Sequence, residues 1–331
     1  MTTASHSTMH PPSTTFTMAS STPSRRSIAA RLLAALLLIL LLFGHYSYQN
    51  LSASSIPAYH FHPSQPFPQK IWQSSKADPK NSTPQTNNPP HQWRTLNPSF
   101  RYERLTDANM DAYVRSRAAS TRHIADLAIS DLFVSLPNPI LKAEFLRYLV
   151  LLYDGGVWAD IDTLPHRPVA EWIPPVYRDR VNLVVGIEKD GNKQPIWPGL
   201  PYSVQLCTYT VLAKPGHPAI RAVVDEVAQN LGRVIGSKAV GGAAAFEEVM
   251  STMGPLVFTR VLMEYLSNTT GIAHTGDELG GLAEPRLIGD ILVLPKDSFG
   301  WLQQEHRHPK VHEMVLVEHF SIPSWRAGCP G

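Results

Sequence analysis

Residues 138–162 constrain the fold of this chain more than any other stretch. They read Asn-Pro-Ile-Leu-Lys-Ala-Glu-Phe-Leu-Arg-Tyr-Leu-Val-Leu-Leu-Tyr-Asp-Gly-Gly-Val-Trp-Ala-Asp-Ile-Asp. Asn138 can cap a helix, Pro139 suits its first position, and Leu141, Phe145, Tyr148, Leu149 and Leu152 recur at helical spacing. Gly155-Gly156 stops that helix, and an apolar strand, Val157 to Ile161, follows at once. A helix that turns directly into a strand has to pack back on the sheet containing that strand. Further β-like runs lie at Phe67–Gln73, Asn182–Ile187 and Leu287–Leu294. Helices are expected from Thr106, as a cap, to about Ala119, and at about Arg122–Leu136, His217–Leu231 and Gly254–Leu266. The pattern predicts an α/β domain with helices flanking a mixed sheet.

The same stretch carries the chemistry. Asp160 and Asp162 sit at the carboxyl end of a predicted strand, where open α/β sheets place their ligands. Residues two apart in an extended segment face the same way, so both carboxylates can meet one cation. Hard oxygen ligands at that spacing suit Mn²⁺ or Mg²⁺ carrying a diphosphate. The plain alternative is a solvated turn, because Asp-x-Asp is common turn chemistry. An Asp-x-Asp pair acting as nucleophile and acid in phosphoryl transfer would follow an early strand, not a mid-chain helix and a Gly-Gly break. Arg147 lies three residues after Glu144, a spacing that suits either a helix-surface salt bridge or a guanidinium aimed at a diphosphate or donor sugar.

The amino-terminal end is a different material. No Asp or Glu precedes Asp78, so residues 1–77 carry a formal +5 and the remainder −3. Residues 1–24 hold thirteen Ser or Thr and no charged side chain, a composition that cannot repay the entropy of ordering. Arg25 and Arg26 then precede an apolar run, unbroken from Leu32 to Phe43. Extended by Ser27 and by Gly44 to Tyr48, it can cross a thin bilayer, with Arg31 reaching the near interface. The basic residues before the span direct the tail to the cytosol and the rest to the lumen. A cleaved signal peptide or a transit peptide fits less well, given the 24-residue leader and the long apolar run. From Gln49 to about Pro98 the composition is that of a Pro/Ser/Asn-rich stalk, interrupted at Phe67 by the first strand. The reading is a cytosolic disordered tail (1–26), a signal anchor (27–48), a stalk (49–66) and a lumenal catalytic domain (67–331). Asn50, Asn81 and Asn268 head glycosylation sequons that this topology would expose to the lumen. The basic balance comes from residues outside the predicted fold, which excludes a nucleic-acid footprint. Two cysteines, Cys207 and Cys329, exclude a disulfide scaffold and could form one pair.

Leu141 to Asp162 resembles the sugar-nucleotide signature of the fungal initiation-specific α-1,6-mannosyltransferases, glycosyltransferase family 32. The resemblance continues through Lys70-Ile-Trp-Gln73, Leu136-Pro137, Gly186-Ile-Glu188, Ala213-Lys-Pro-Gly-His-Pro218, Gly254-Pro255, Phe258-Thr259, Gly289-Asp290, His319 and Ser324-Trp325. It spans roughly residues 67 to 326 in order. It implies a GT-A-type nucleotide-sugar-binding fold behind a single transmembrane helix, Mn²⁺ dependence, a GDP-mannose donor and anchoring in the Golgi membrane. Carried over by position, Asp160 would contact donor sugar and ribose and Asp162 would ligate the metal, with His319 as a further ligand. Arg147 and Glu144 would face the donor, as would Gly155 and Gly156, which permit a turn and close approach. Ser324 and Trp325 would hold the diphosphate. Two departures stand out: Glu144 replaces the family's usual Asp, and Pro323-Ser-Trp-Arg326 replaces Gly-Ser-Trp-Lys. Glu188 and Gln205 are candidates for lining the acceptor or the donor's β face. The implied acceptor is a mannose-containing glycan, of N-glycan outer-chain type with an α-1,6 linkage. The alternatives are an inositol-phosphoceramide acceptor, or a non-catalytic role within a mannosyltransferase complex that elongates mannan.

Overall fold

A computed structural model of the protein describes residues 61–76, 89–197, 200–236, 252–300 and 315–321. Its centre is a seven-stranded sheet in the order β2-β1-β3-β6-β5-β8-β7. In chain order these are β1 (Lys70–Ser75), β2 (Arg101–Thr106), β3 (Gly156–Ala159), β5 (Leu183–Asp190), β6 (Val204–Ala213), β7 (Arg286–Ile288) and β8 (Ile291–Leu294). A separate antiparallel pair joins β4 (Thr163–Pro165) to β9 (Val317–His319). β2, β1 and β3 run parallel, β6 runs antiparallel to both β3 and β5, and β5 pairs in parallel with β8. The sheet is therefore mixed, and its middle strands are buried on both faces.

Six helices among the described residues surround it: α1 (Pro89–Leu96), α2 (Met110–Thr121), α3 (Ile124–Ser135), α4 (Pro139–Tyr153), α5 (Pro218–Gly236) and α6 (Pro255–Thr270). One face of the sheet packs on α2 to α6 through Val114, Phe133, Phe145, Leu149, Val223, Phe258 and Leu262. The other face is covered by Trp93, Val169, Trp172, Phe299 and Val317. Trp172 bridges this second layer, with ring centroids 6.0 Å from Trp93 and 4.7 Å from Phe299.

Several sequence expectations shift by a few residues for local reasons. The helix expected to start at Thr106 begins at Met110, because Thr106 ends β2 and its N–H donates to Asn109 Oδ1 at 2.6 Å. The run Leu287–Leu294 is not one strand but a hairpin, folded back at Gly289, whose φ of +57° a glycine adopts without strain. The strand expected to reach Ile161 ends at Ala159, where the chain turns at Asp160.

The stalk reading fails within the second half of the Pro-rich stretch. Residues 89–96 form α1, and Trp93 is fully buried. Phe61 also packs edge-on against His217, 5.2 Å between ring centroids, so the last residues assigned to the stalk touch the folded domain. No helix among the described residues is long and apolar enough to cross a membrane. The expected span at 27–48 and the tail at 1–26 lie outside those residues, as do the sequon asparagines Asn50 and Asn81.

Candidate active site

The site grows from the turn between α4 and β3. Asn138 caps α4 through its side chain, which accepts from the Ile140 N–H at 2.9 Å, and Pro139 occupies the first turn. At the other end Gly155 and Gly156 take φ of +63° and +92°. A Cβ on Gly155 would lie 2.7 Å from Pro215, and one on Gly156 would lie 2.6 Å from the Lys70 carbonyl. The close approach that these glycines permit in the structure is to Pro215, Ala213 and Lys70. Their work is to bring β3 beside β1 without a loop.

β3 delivers Asp160. Its N–H donates to the Tyr209 carbonyl at 2.8 Å, and its own carbonyl accepts from Gln73 Nε2 and from Thr163. The carboxylate accepts from Trp158 Nε1 at 2.7 Å and from Arg147, whose Nη2 is 3.2 Å from each oxygen. Arg147 reaches across from α4 and also donates to Glu144 Oε1 at 2.9 Å and to Thr208 Oγ1 at 2.7 Å. The Glu144–Arg147 pair foreseen on a helix surface is thus buried: only 6% of the arginine side chain is exposed. Burial pulls the pKa of this guanidinium down, but Asp160 and Glu144 more than offset it and hold the pKa above the ordinary arginine value. Burial pushes the carboxyls of Asp160 and Glu144 upward, with Arg147 opposing the shift in each case.

Asp162 lies two residues on, and the chain then enters β4. Pairing of Thr163 with His319, together with the hydrogen bond from the Phe320 N–H to the Asp162 carbonyl at 3.0 Å, brings the late strand β9 alongside. His319 Nε2 is 3.4 Å from Asp162 Oδ1, and its ring stacks on Tyr209 at 4.0 Å between centroids, 20° from parallel. Asp160, Asp162 and His319 each present a ligand atom, and these atoms lie within 4.8 Å of one another. Two carboxylates and an imidazole form a donor set of the kind that divalent cations such as Mn²⁺ accept, so the residues present fit a metal ion.

Asp160, Asp162, His319, Arg147 and Glu144 therefore meet in one place. Ser324 and Trp325 lie outside the described residues. Asn268 is exposed on the last turn of α6, far along the chain from the site. Cys207 is a buried free thiol with Sγ 3.1 Å from the Tyr209 hydroxyl; Cys329 lies outside the described residues. Sequence reasoning missed the supporting groups Trp158, Gln73, Thr208, Tyr209 and Trp93, whose Nε1 donates to the Thr163 carbonyl at 2.9 Å. Trp158 was within reach of it, since a residue two before Asp160 on a strand shares its face.

A mixed α/β sheet that holds an Asp-x-Asp pair at a strand end, beside a late histidine, defines an α/β protein with a candidate divalent-cation site. Residues 85–178 match the family described as a glycosyltransferase sugar-binding region containing a DXD motif. The initiation-specific alpha-1,6-mannosyltransferase of Schizosaccharomyces pombe is 35% identical over 264 residues, covering 78% of this chain and 64% of that enzyme. Its namesake in Candida albicans is 29% identical over 80% of this chain and 73% of its own length. Among solved structures, PaToxG glycosyltransferase aligns with 62% of this chain and 73% of its own, at 15% identity and a TM-score of 0.41. The chain is similar to the initiation-specific α-1,6-mannosyltransferases over most of its length, and Asp160 and Asp162 lie within the part that matches the DXD sugar-binding region. The chain spans just under two thirds of the length of the Schizosaccharomyces enzyme.

Proposed function

We propose that this protein is a metal-dependent mannosyltransferase that moves mannose from GDP-mannose to a mannose-containing glycan of the N-glycan outer-chain type, forming an α-1,6 linkage. The observation that carries the reading is the convergence of His319 on Asp160 and Asp162, the carboxylate pair of the matched DXD region. The relatives' printed activity supports the choice of sugar and linkage. The proposed fold type is GT-A, with Mn²⁺ or Mg²⁺ as the cofactor. The proposed setting is the Golgi membrane, anchored through residues 27–48 with the catalytic domain in the lumen.

The chemistry follows from charge. Breaking the bond between the anomeric carbon and phosphate leaves negative charge on the nucleoside diphosphate. A divalent ion, when bound, offsets that charge electrostatically. Asp162 and His319 would hold it, and Tyr209 fixes the plane of the imidazole. Asp160 is oriented by Trp158 and Arg147, so its carboxylate meets a hydroxyl of the bound donor in one fixed geometry. Arg147 stays protonated while it does this and needs no proton transfer.

Full-length protein in detergent, given GDP-mannose, Mn²⁺ and a panel of acceptors, tests the reading. Release of GDP with a mannosylated high-mannose oligosaccharide is the expected product. A protein that elongates only inositol-phosphoceramide, or releases no GDP at all, contradicts it.

A further inference from the structure

On β5, two strands from β3 in the sheet, Glu188 faces the same end of the sheet as the Asp160 cluster, and its electrostatic neighbours include His319, Arg147 and Lys189. Among the described residues it forms no ion pair; the two terminal nitrogens of Arg147 go to Thr208, Glu144 and Asp160. Lys189, next along the strand, instead lies over the Trp197 ring at 4.8 Å. What addresses Glu188 is an amide. Gln205 is 1% exposed, and its Oε1 accepts from Trp197 Nε1 at 2.8 Å. An indole N–H can only donate, so this bond fixes which way the amide lies. Gln205 Nε2 must then point the other way, toward Glu188, where it stops short of full hydrogen-bond geometry and is otherwise unpartnered.

We propose that Glu188, oriented through Gln205 and Trp197, binds hydroxyl groups of the acceptor sugar. The inference rests on the glycosyl-transfer reading above. A carboxylate that forms no ion pair and has Glu144 as a like-charged neighbour favours a neutral hydrogen-bond donor such as a sugar hydroxyl over a diphosphate. Two strand steps place β5 about 10 Å from β3. That lateral offset suits a second sugar ring beside the one that Asp160 addresses.

Steady-state kinetics with the full-length protein, GDP-mannose and a high-mannose oligosaccharide test this. Glu188→Gln is expected to raise the acceptor KM at least tenfold, with the donor KM moving less than twofold. Trp197→Phe removes the indole donor outside the site and is expected to raise the acceptor KM at least threefold; it decides the matter if the first variant does not fold. Acceptor KM values unchanged in the folded variants, or a donor KM that rises with the acceptor KM, overturn the assignment of Glu188. A wild-type protein that transfers no mannose overturns the underlying reading instead.

Discussion

Arg147 ties the site to the fold. Removing it in Arg147→Ala leaves Glu144 and Asp160 as neighbouring, partly buried carboxylates with no cation, and the expected cost is about 2–3 kcal/mol in a urea or guanidinium titration. Arg147→Lys keeps the charge but not the fork that spans Glu144, Asp160 and Thr208. It should retain more of the stability than Arg147→Ala while still transferring sugar more slowly than wild type. A second polar cluster makes a prediction about pH. Burial would raise the carboxyl pKa of Asp290, but His217 and Asn182, hydrogen-bonded to Oδ2 at 3.1 and 2.9 Å, hold it below the ordinary value. A carboxylate with a lowered pKa contributes stability above its unfolded pKa of about 4, and loses that contribution as pH falls through the folded value. Thermal unfolding of Asp290→Ala should therefore show a lower midpoint than wild type at pH 7, and the gap should narrow on acidification below about pH 4. Residue identities in the site were legible because Asp160 and Asp162 are close in sequence. The partners of Asp160 were less so, because Arg147 had two plausible jobs and only burial shows which contacts it makes.

At the level of elements, α4, the glycine pair and β3 were legible because each carries its own punctuation within a few residues. Asn138→Ala should cost about 1 kcal/mol by loss of one cap bond. Gly156→Ala should do far more damage, since it combines a left-handed backbone with a Cβ 2.6 Å from the Lys70 carbonyl, and a collapse of the yield of folded protein is the expected readout. β6 was not legible. Val204–Ala213 is buried along its whole length yet mixes Gln, Cys, Thr and Tyr with its aliphatic residues, so neither alternation nor a clean apolar run marks it. α1 was hidden by composition: Pro89-Pro90 reads as stalk, but Trp93 fills the second core layer and its indole holds the Thr163 carbonyl just past Asp162. Trp93→Ala should destabilise the domain by about 3–5 kcal/mol. A true stalk residue would leave its unfolding midpoint unchanged.

Across the whole molecule, the uneven charge of the sequence takes on a meaning. The surplus of positive charge lies in the first 77 residues, and the remainder carries a formal −3. On the proposed reading, attraction for an anionic sugar nucleotide would rest on a cation held among Asp160, Asp162 and His319 and on local residues such as Arg147, not on net charge. His319 was legible only through the family resemblance, since 157 positions separate it from Asp162 and it is the β4–β9 pairing that brings them together. The most direct test is transfer of mannose from GDP-mannose by wild type and Asp162→Asn, each with Mn²⁺ and with excess EDTA. Wild type with Mn²⁺ should form product, EDTA should abolish it, and the variant should fall by at least about a hundredfold. Transfer by Asp162→Asn at the wild-type rate, or transfer undiminished by EDTA, would contradict a metal-assisted site at Asp160, Asp162 and His319.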